Sequence, residues 1–284
     1  MKGKKRFIGF IVLVMCFISF GVTAFAGETQ LKNKKWVSGQ GGAYETDKDG
    51  TIVYNSYGTV YYKIKIPKQG YIIVDVKTSS LPGEDDYNAQ DDEYDGELSE
   101  PGMTNVDLLS SSKKVLSANS NNLTEKKNYS FSWAVKKGTY YLAVSGDQKY
   151  NIRYAFTAVT KVSKSGSSAK NAVSLKKGKL VKDLLLPRKY HYFKIDLPKK
   201  TKVTIVFDSK LKDSNSMELT MILAVKKGKD YRFVDGKGKL VAKNNAVWWE
   251  IKGKEKVTLN LPKETYYVRM DGGSTSGYYT MKWK

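Results

Sequence analysis

Residues 61–68 read YYKIKIPK, and residues 192–199 read YFKIDLPK. In both, apolar residues alternate with polar ones. Tyr62, Ile64 and Ile66 alternate with Tyr61, Lys63 and Lys65; Phe193, Ile195 and Leu197 alternate with Tyr192, Lys194 and Asp196. A period of two places successive side chains on opposite faces, so each stretch predicts a half-buried strand that ends at a Pro-Lys turn. The pattern continues outward. Ile72, Val74 and Val76 form a second alternating run after Pro67–Gly70, and Val203, Ile205 and Phe207 form one after Pro198–Lys200. Tyr266, Val268 and Met270 form another before Asp271-Gly272-Gly273. Turn signals separate the runs, and long helical periodicity is absent. The expected class is all-β.

The block at 61–68 is one of four that recur in the same order. Thr139-Tyr140-Tyr141-Leu142 matches Thr265-Tyr266-Tyr267-Val268, and Tyr150–Tyr154 matches Tyr279–Trp283. Lys114–Asn119 resembles Lys239–Asn244. Repetition of a unit this long predicts two copies of one supersecondary arrangement. Residues 161–170, KVSKSGSSAK, are rich in Ser, Gly and Lys and make the best linker between them. The expected organisation is a leader at 1–26, a first β-sandwich at 27–160, a linker at 161–170 and a second β-sandwich at 171–284.

The leader is read from Lys2, Lys4, Lys5 and Arg6, the apolar run Phe7–Val22, and Ala24-Phe25-Ala26. A basic start, a short apolar stretch and small residues at a cleavage point form a secretory signal peptide, cut after Ala26. The run is shorter than the roughly 20 residues of a bilayer span. The sole cysteine, Cys16, falls inside it, so the mature chain has no disulfide. An exported chain without cysteine suits a Gram-positive bacterium, secreted or held non-covalently at the cell wall.

Over 171–284 the motifs resemble the bacterial pre-peptidase C-terminal domain. They are Asn171-Ala172 with Leu175 and Gly178, then Tyr192–Leu197, Leu219-Thr220-Met221, Gly238-Lys239-Leu240, Leu261–Arg269, and the closing Gly277–Thr280. Residues 43–160 resemble it less closely. The collagen-binding domains of clostridial collagenases are similar. The resemblance implies a jelly-roll-like antiparallel β-sandwich acting as a non-catalytic attachment or surface module. No peptidase domain precedes the modules here, a departure from the usual setting.

Three features bear on chemistry. Glu84–Glu97 holds eight acids in fourteen residues. Within it Asp91, Glu93, Asp95 and Gly96 follow the first positions of a calcium loop, with Glu97 a further oxygen donor, so calcium is the candidate cofactor. The twelfth position is Gly102 rather than Glu, which leaves a solvated acidic loop as the other reading. Second, alternation turns one member of each aromatic pair outward. Tyr61 and Tyr192 face out if Tyr62 and Phe193 face in; Tyr141 and Tyr267 do so if Tyr140 and Tyr266 face in, with Arg269 beside Tyr267. One of Trp248 and Trp249 must also leave the core. Tyr and Trp amid Lys suit sugar stacking or peptide binding, and equally suit cross-strand packing.

The third feature is charge. The chain has 49 Lys plus Arg against 28 Asp plus Glu, a formal +21. Residues 161–284 hold 29 basic and 11 acidic groups, while residues 27–160 hold 16 and 17. A near-neutral module is joined to a strongly basic one, which points to cell-wall polyanions, polysaccharides or matrix proteins as partners. Export and the absence of a nucleic-acid motif set nucleic acid aside. His191 is the only imidazole, and a core or surface role suits it better than general-base chemistry. Gly273–Gly277 has Thr275 at its centre and reads as a hairpin, not a nucleophile elbow. The expected function is non-catalytic binding or adhesion. An accessory or carbohydrate-active role for the acidic loop and a structural envelope role are the alternatives.

Overall fold

A computed structural model describes residues 28–46, 52–56, 58–78, 105–118, 128–146, 149–210, 219–272 and 276–284. The leader and the acidic stretch, with Asp91, Glu93, Asp95 and Glu97, lie outside the described residues.

The chain forms two tandem, jelly-roll-like antiparallel β-sandwiches. In the first half the strands are β1 (Thr29–Gln30), β2 (Val37–Gln40), β3 (Ala43–Thr46), β4 (Ile52–Ser56), β5 (Gly58–Ile66), β6 (Gly70–Thr78), β7 (Asn105–Leu109), β8 (Val115–Ser117), β9 (Asn128–Val135), β10 (Gly138–Gly146) and β11 (Lys149–Ala158). They build one sheet of order β1-β5-β10-β7-β8 and a facing sheet of order β2-β11-β6-β9, with β3 and β4 as a separate hairpin. In the second half they are β12 (Val173–Ser174), β13 (Val181–Leu185), β14 (Tyr190–Leu197), β15 (Thr201–Ser209), β16 (Leu219–Lys227), β17 (Asp230–Val234), β18 (Leu240–Val241), β19 (Trp249–Ile251), β20 (Lys254–Leu261), β21 (Glu264–Asp271) and β22 (Gly277–Trp283). Their sheets run β12-β14-β21-β16-β17-β18, with β19 also on β16, and β13-β22-β15-β20.

The repeat holds at the level of register. Tyr62 pairs with Leu142, and its counterpart Phe193 pairs with Val268. Tyr150 pairs with Thr78, and Tyr279 with Ser209. Each copy opens with a two-residue strand that joins its sheet in parallel, Thr29 beside Tyr62 and Val173 beside Phe193. The next residue, Leu31 or Leu175, then drops into the core. One block is corrected. The described residues 114–118 correspond in space to β17 rather than to 239–244, because β8 pairs directly with β7 while β18 pairs with β17. Two apolar-polar runs after polar turns look alike in sequence, and alternation does not say which one joins the sheet.

Each pair of sheets encloses its own core. Ile64, Val74, Phe131, Trp133 and Ile152 anchor the first, and Phe193, Ile205, Leu223, Tyr266 and Met281 the second. The buried indoles also find acceptors: Trp133 Nε1 donates to Ser117 Oγ at 3.0 Å, and Trp283 Nε1 to the Leu175 carbonyl at 2.8 Å. The turn between β16 and β17 runs through Gly228 at φ 62°, a left-handed conformation that a glycine adopts without a Cβ penalty.

Residues 161–170 are not a free linker. Ser163 N donates to the Lys182 carbonyl at 2.7 Å. Gly166 and Tyr192 exchange two backbone hydrogen bonds of 3.0 and 2.8 Å, sealing the start of β14.

Candidate functional site

The outer face of β14, β21, β16 and β17 collects the aromatic residues. Alternation sends Phe193, Ile195, Val268 and Leu223 into the core, so Tyr190, Tyr192, Tyr267, Arg269, Ile222 and Ala224 point outward. Strand register then sets them in rows. Tyr192 lies opposite Arg269, which lies opposite Ile222; Tyr267 lies opposite Ala224, which lies opposite Phe233. Tyr231 and Tyr267 meet edge to face with centroids 5.7 Å apart, as do Tyr190 and Tyr192 at 6.4 Å. Large rings therefore surround small or aliphatic floor residues. The result is a hollow of about 160 Å³ walled by Tyr192, Tyr231, Phe233 and Tyr267, with Ala169 at its rim.

Arg269 stands at the centre. Its guanidinium lies 5.1 Å from the Tyr190 ring centroid and 4.8 Å from that of Trp248. Nε is buried without an acceptor among the described residues, and the ion pair to Asp271 is long at 3.5 Å. Tyr190 and Trp248 are 45% and 42% exposed, so the stack is open to solvent. Burial, then the neighbouring Tyr267 and Tyr192, push the Tyr231 phenol above its ordinary value. It stays protonated at neutral pH and offers a donor as well as a ring.

Of the residues singled out from the sequence, Tyr192, Tyr267, Arg269 and Trp248 come together here. Trp249 does not. On β19 it pairs with Met221 of β16 and packs against the core, which removes it from the face. Tyr61 and Tyr141 lie on the outer face of the first sandwich, as alternation requires, but Tyr141 is only 5% exposed. It packs with Tyr61, Leu109 and Ala143 and donates to Glu28 Oε1 at 3.1 Å. Lys113 covers both rings at 4.5 and 5.2 Å and, with Lys63, pairs with Glu28. Lys113, Tyr141 and Lys63 hold the Glu28 carboxyl below its usual range. This is cross-strand packing under a charged cap, not an open platform.

Sequence reasoning missed Tyr190, Tyr231, Phe233, Ile222, Ala224 and Ala169. The spacing Tyr190-x-Tyr192 and the Gly228-Lys229 hairpin turn that sets β17 beside β16 were both visible, but neither tells which outward residues gather on one face.

His191 takes a structural place. Its Nδ1 lies 2.8 Å from the Tyr279 hydroxyl and 3.2 Å from Asp183 Oδ2, and Asp183 Oδ1 accepts from Leu184 N. Burial pushes the imidazole down and the Asp183 carboxyl up from their ordinary values. In the first sandwich the matching positions are Val60, Tyr150 and Gly39, where Tyr150 instead meets Tyr62 hydroxyl to hydroxyl at 3.1 Å. Among the described residues no group of three or more His, Cys, Asp or Glu converges to hold a metal ion.

The second sandwich thus presents a shallow ring-walled cleft with one cation. No protein-family model matches the chain, and no curated protein matches it. Three solved structures show remote likeness. The CBM22-1–CBM22-2 tandem domain from Paenibacillus barcinonensis Xyn10C is 9% identical, with 89% of this chain and 94% of that chain covered and a TM-score of 0.25. The M60 catalytic domain with the CBM51-1 and CBM51-2 domains from Clostridium perfringens ZmpB is 9% identical over 88% of this chain and 37% of that chain, at 0.24. The CUB1-EGF-CUB2 domain of human MASP-1/3 is 10% identical over 88% and 99%, at 0.20.

Proposed function

We propose that this chain is an exported, non-catalytic binding protein. Its second sandwich, similar to pre-peptidase C-terminal modules, engages a polysaccharide, polyanion or fibrous protein at or beyond the bacterial cell wall. The observation that carries this reading is the outward cluster of Tyr190, Tyr192, Tyr231, Tyr267 and Trp248 around Arg269. Rings with one open face bury apolar area against a partner at little entropic cost. The basic surplus of residues 161–284 supplies attraction over about 10 Å, weakened by salt. Calcium bound through Asp91, Glu93, Asp95 and Glu97 completes the reading for the first module.

Protein beginning at Gly27 is passed over cell walls, collagen and heparin, with and without millimolar calcium and at rising salt. Retention is expected on at least one support. Tyr231→Ala with Tyr267→Ala is expected to weaken it about tenfold or more, as loss of a clustered aromatic anchor does. Retention on none of the three overturns the reading. An unchanged melting temperature in calcium removes the calcium part alone.

A further inference from the structure

We propose that the cleft around Arg269 takes an acidic polysaccharide, one whose sugar rings carry a carboxylate or sulfate group. The inference rests on the binding role proposed above and narrows it. Among the residues lining the hollow, Arg269 is the one with a formal charge. The Tyr190 and Trp248 rings lie against the guanidinium and its Nε is buried, which leaves the edge bearing the terminal N–H groups to address a partner. That edge is a planar fork of N–H donors, matched to carboxylate and similar oxyanions. The nearest acid, Asp271, accepts from Arg269 Nη2 at 3.5 Å, long for a hydrogen bond. Other acids of this face are engaged elsewhere. Asp196 accepts from Thr265 at 2.8 Å, and Glu264 pairs with Lys227. Glu250 of β19 sits opposite Thr220 of β16 and is exposed to solvent.

The rest of the cleft selects the polymer class. It lies on the face of a sheet, where the backbone of β14, β21 and β16 is committed to the ladder. An extended peptide finds no main-chain donors or acceptors there, whereas strand addition needs an open edge. A sugar ring needs none: it stacks its C–H face on Tyr267 or Tyr231 while its anionic substituent meets Arg269. Ala224 and Ala169 line the hollow with small side chains, which leaves the space between the rings open to a sugar.

Native gel retardation tests this with polygalacturonate, its carboxyl-reduced product, dextran sulfate, dextran and poly-glutamate. Retardation is expected with polygalacturonate or dextran sulfate and not with the matched neutral polymer. Arg269→Gln is expected to cut it about tenfold, the scale of one charge-assisted contact. Asp271→Asn, which removes the neighbouring negative charge, is expected to strengthen it about fivefold, a gain that misfolding cannot produce. Equal retardation by neutral polymers, or an unchanged Arg269→Gln variant whose Tyr231→Ala/Tyr267→Ala counterpart has lost binding, overturns the anionic class and leaves the binding role standing. Retardation by poly-glutamate as strong as by either anionic polysaccharide overturns the polysaccharide class. No retardation by any polymer overturns the inference, and retention on cell walls or collagen then decides the binding role by itself.

Discussion

Asp183 and His191 bring an acid and a base into one buried corner of the second sandwich, where burial favours the neutral form of each. Burial pushes the imidazole below its ordinary value, so its stabilisation is complete above about pH 6.5 and declines as pH falls through that value. The Asp183 carboxyl is raised by the same burial, so its stabilisation is complete at low pH and is lost as pH rises above about 4. In the intact protein the two slopes oppose each other. Asp183→Asn isolates the imidazole, and thermal melts from pH 7.5 to 5 should fall more steeply than in the parent. His191→Gln isolates the carboxylate, and the difference from the parent should rise over the same range. Slopes of the same sign would show that another group dominates the corner. The sequence revealed that His191 is alone and opens a strand, but not that Asp183 and Tyr279 meet it. Those residues come together through β13–β22 register, a long-range fact that local alternation does not encode.

At the scale of elements, the alternation of two read from the sequence assigned the faces of β5, β6, β14, β15 and β21 correctly, because half-buried strands leave that mark on every residue. Composition was less informative for residues 161–170. Ser and Gly suit flexible linkers, yet short hydroxyl side chains also bond neighbouring backbone. Here Ser163 Oγ accepts from Lys182 N at 3.1 Å, while Gly166 bridges to Tyr192. A Cβ at Gly166 would meet the Asn171 carbonyl oxygen at 2.4 Å and Ala172 Cα at 2.8 Å, both backbone atoms. Gly166→Val should therefore displace the segment, cost about 1–3 kcal/mol and move the Ala169 rim of the cleft. Denaturant melts measure the first effect and polygalacturonate retardation the second. A variant as stable as the parent would mean that the docked segment contributes nothing to the fold.

Across the whole molecule, the two sandwiches are joined through the sheet that faces away from the aromatic cleft. Tyr71 of β6 stacks on Tyr278 of β22, with centroids 6.0 Å apart and planes inclined by 15°. Ser276 is fully buried at the same junction. Its Oγ accepts from Ala134 N at 3.0 Å, and its carbonyl accepts from Ser132 Oγ at 3.2 Å. These bonds tie β9, the last strand of its sheet among the described residues, to the second sandwich. An aromatic stack contributes about 1 kcal/mol beyond burial, and a buried amide left without its acceptor costs about 1–3 kcal/mol. Coupling of that size makes the halves melt together although their cores are separate. Calorimetry should then record one transition for the parent protein, and two for a variant combining Tyr71→Ala with Ser276→Ala. Because the cleft lies on the opposite sheet, polygalacturonate retardation of that variant below both transitions should match the parent. Two transitions in the parent would make the junction a passive contact. A loss of retardation in the variant would place the junction, and not the outer face alone, among the determinants of binding.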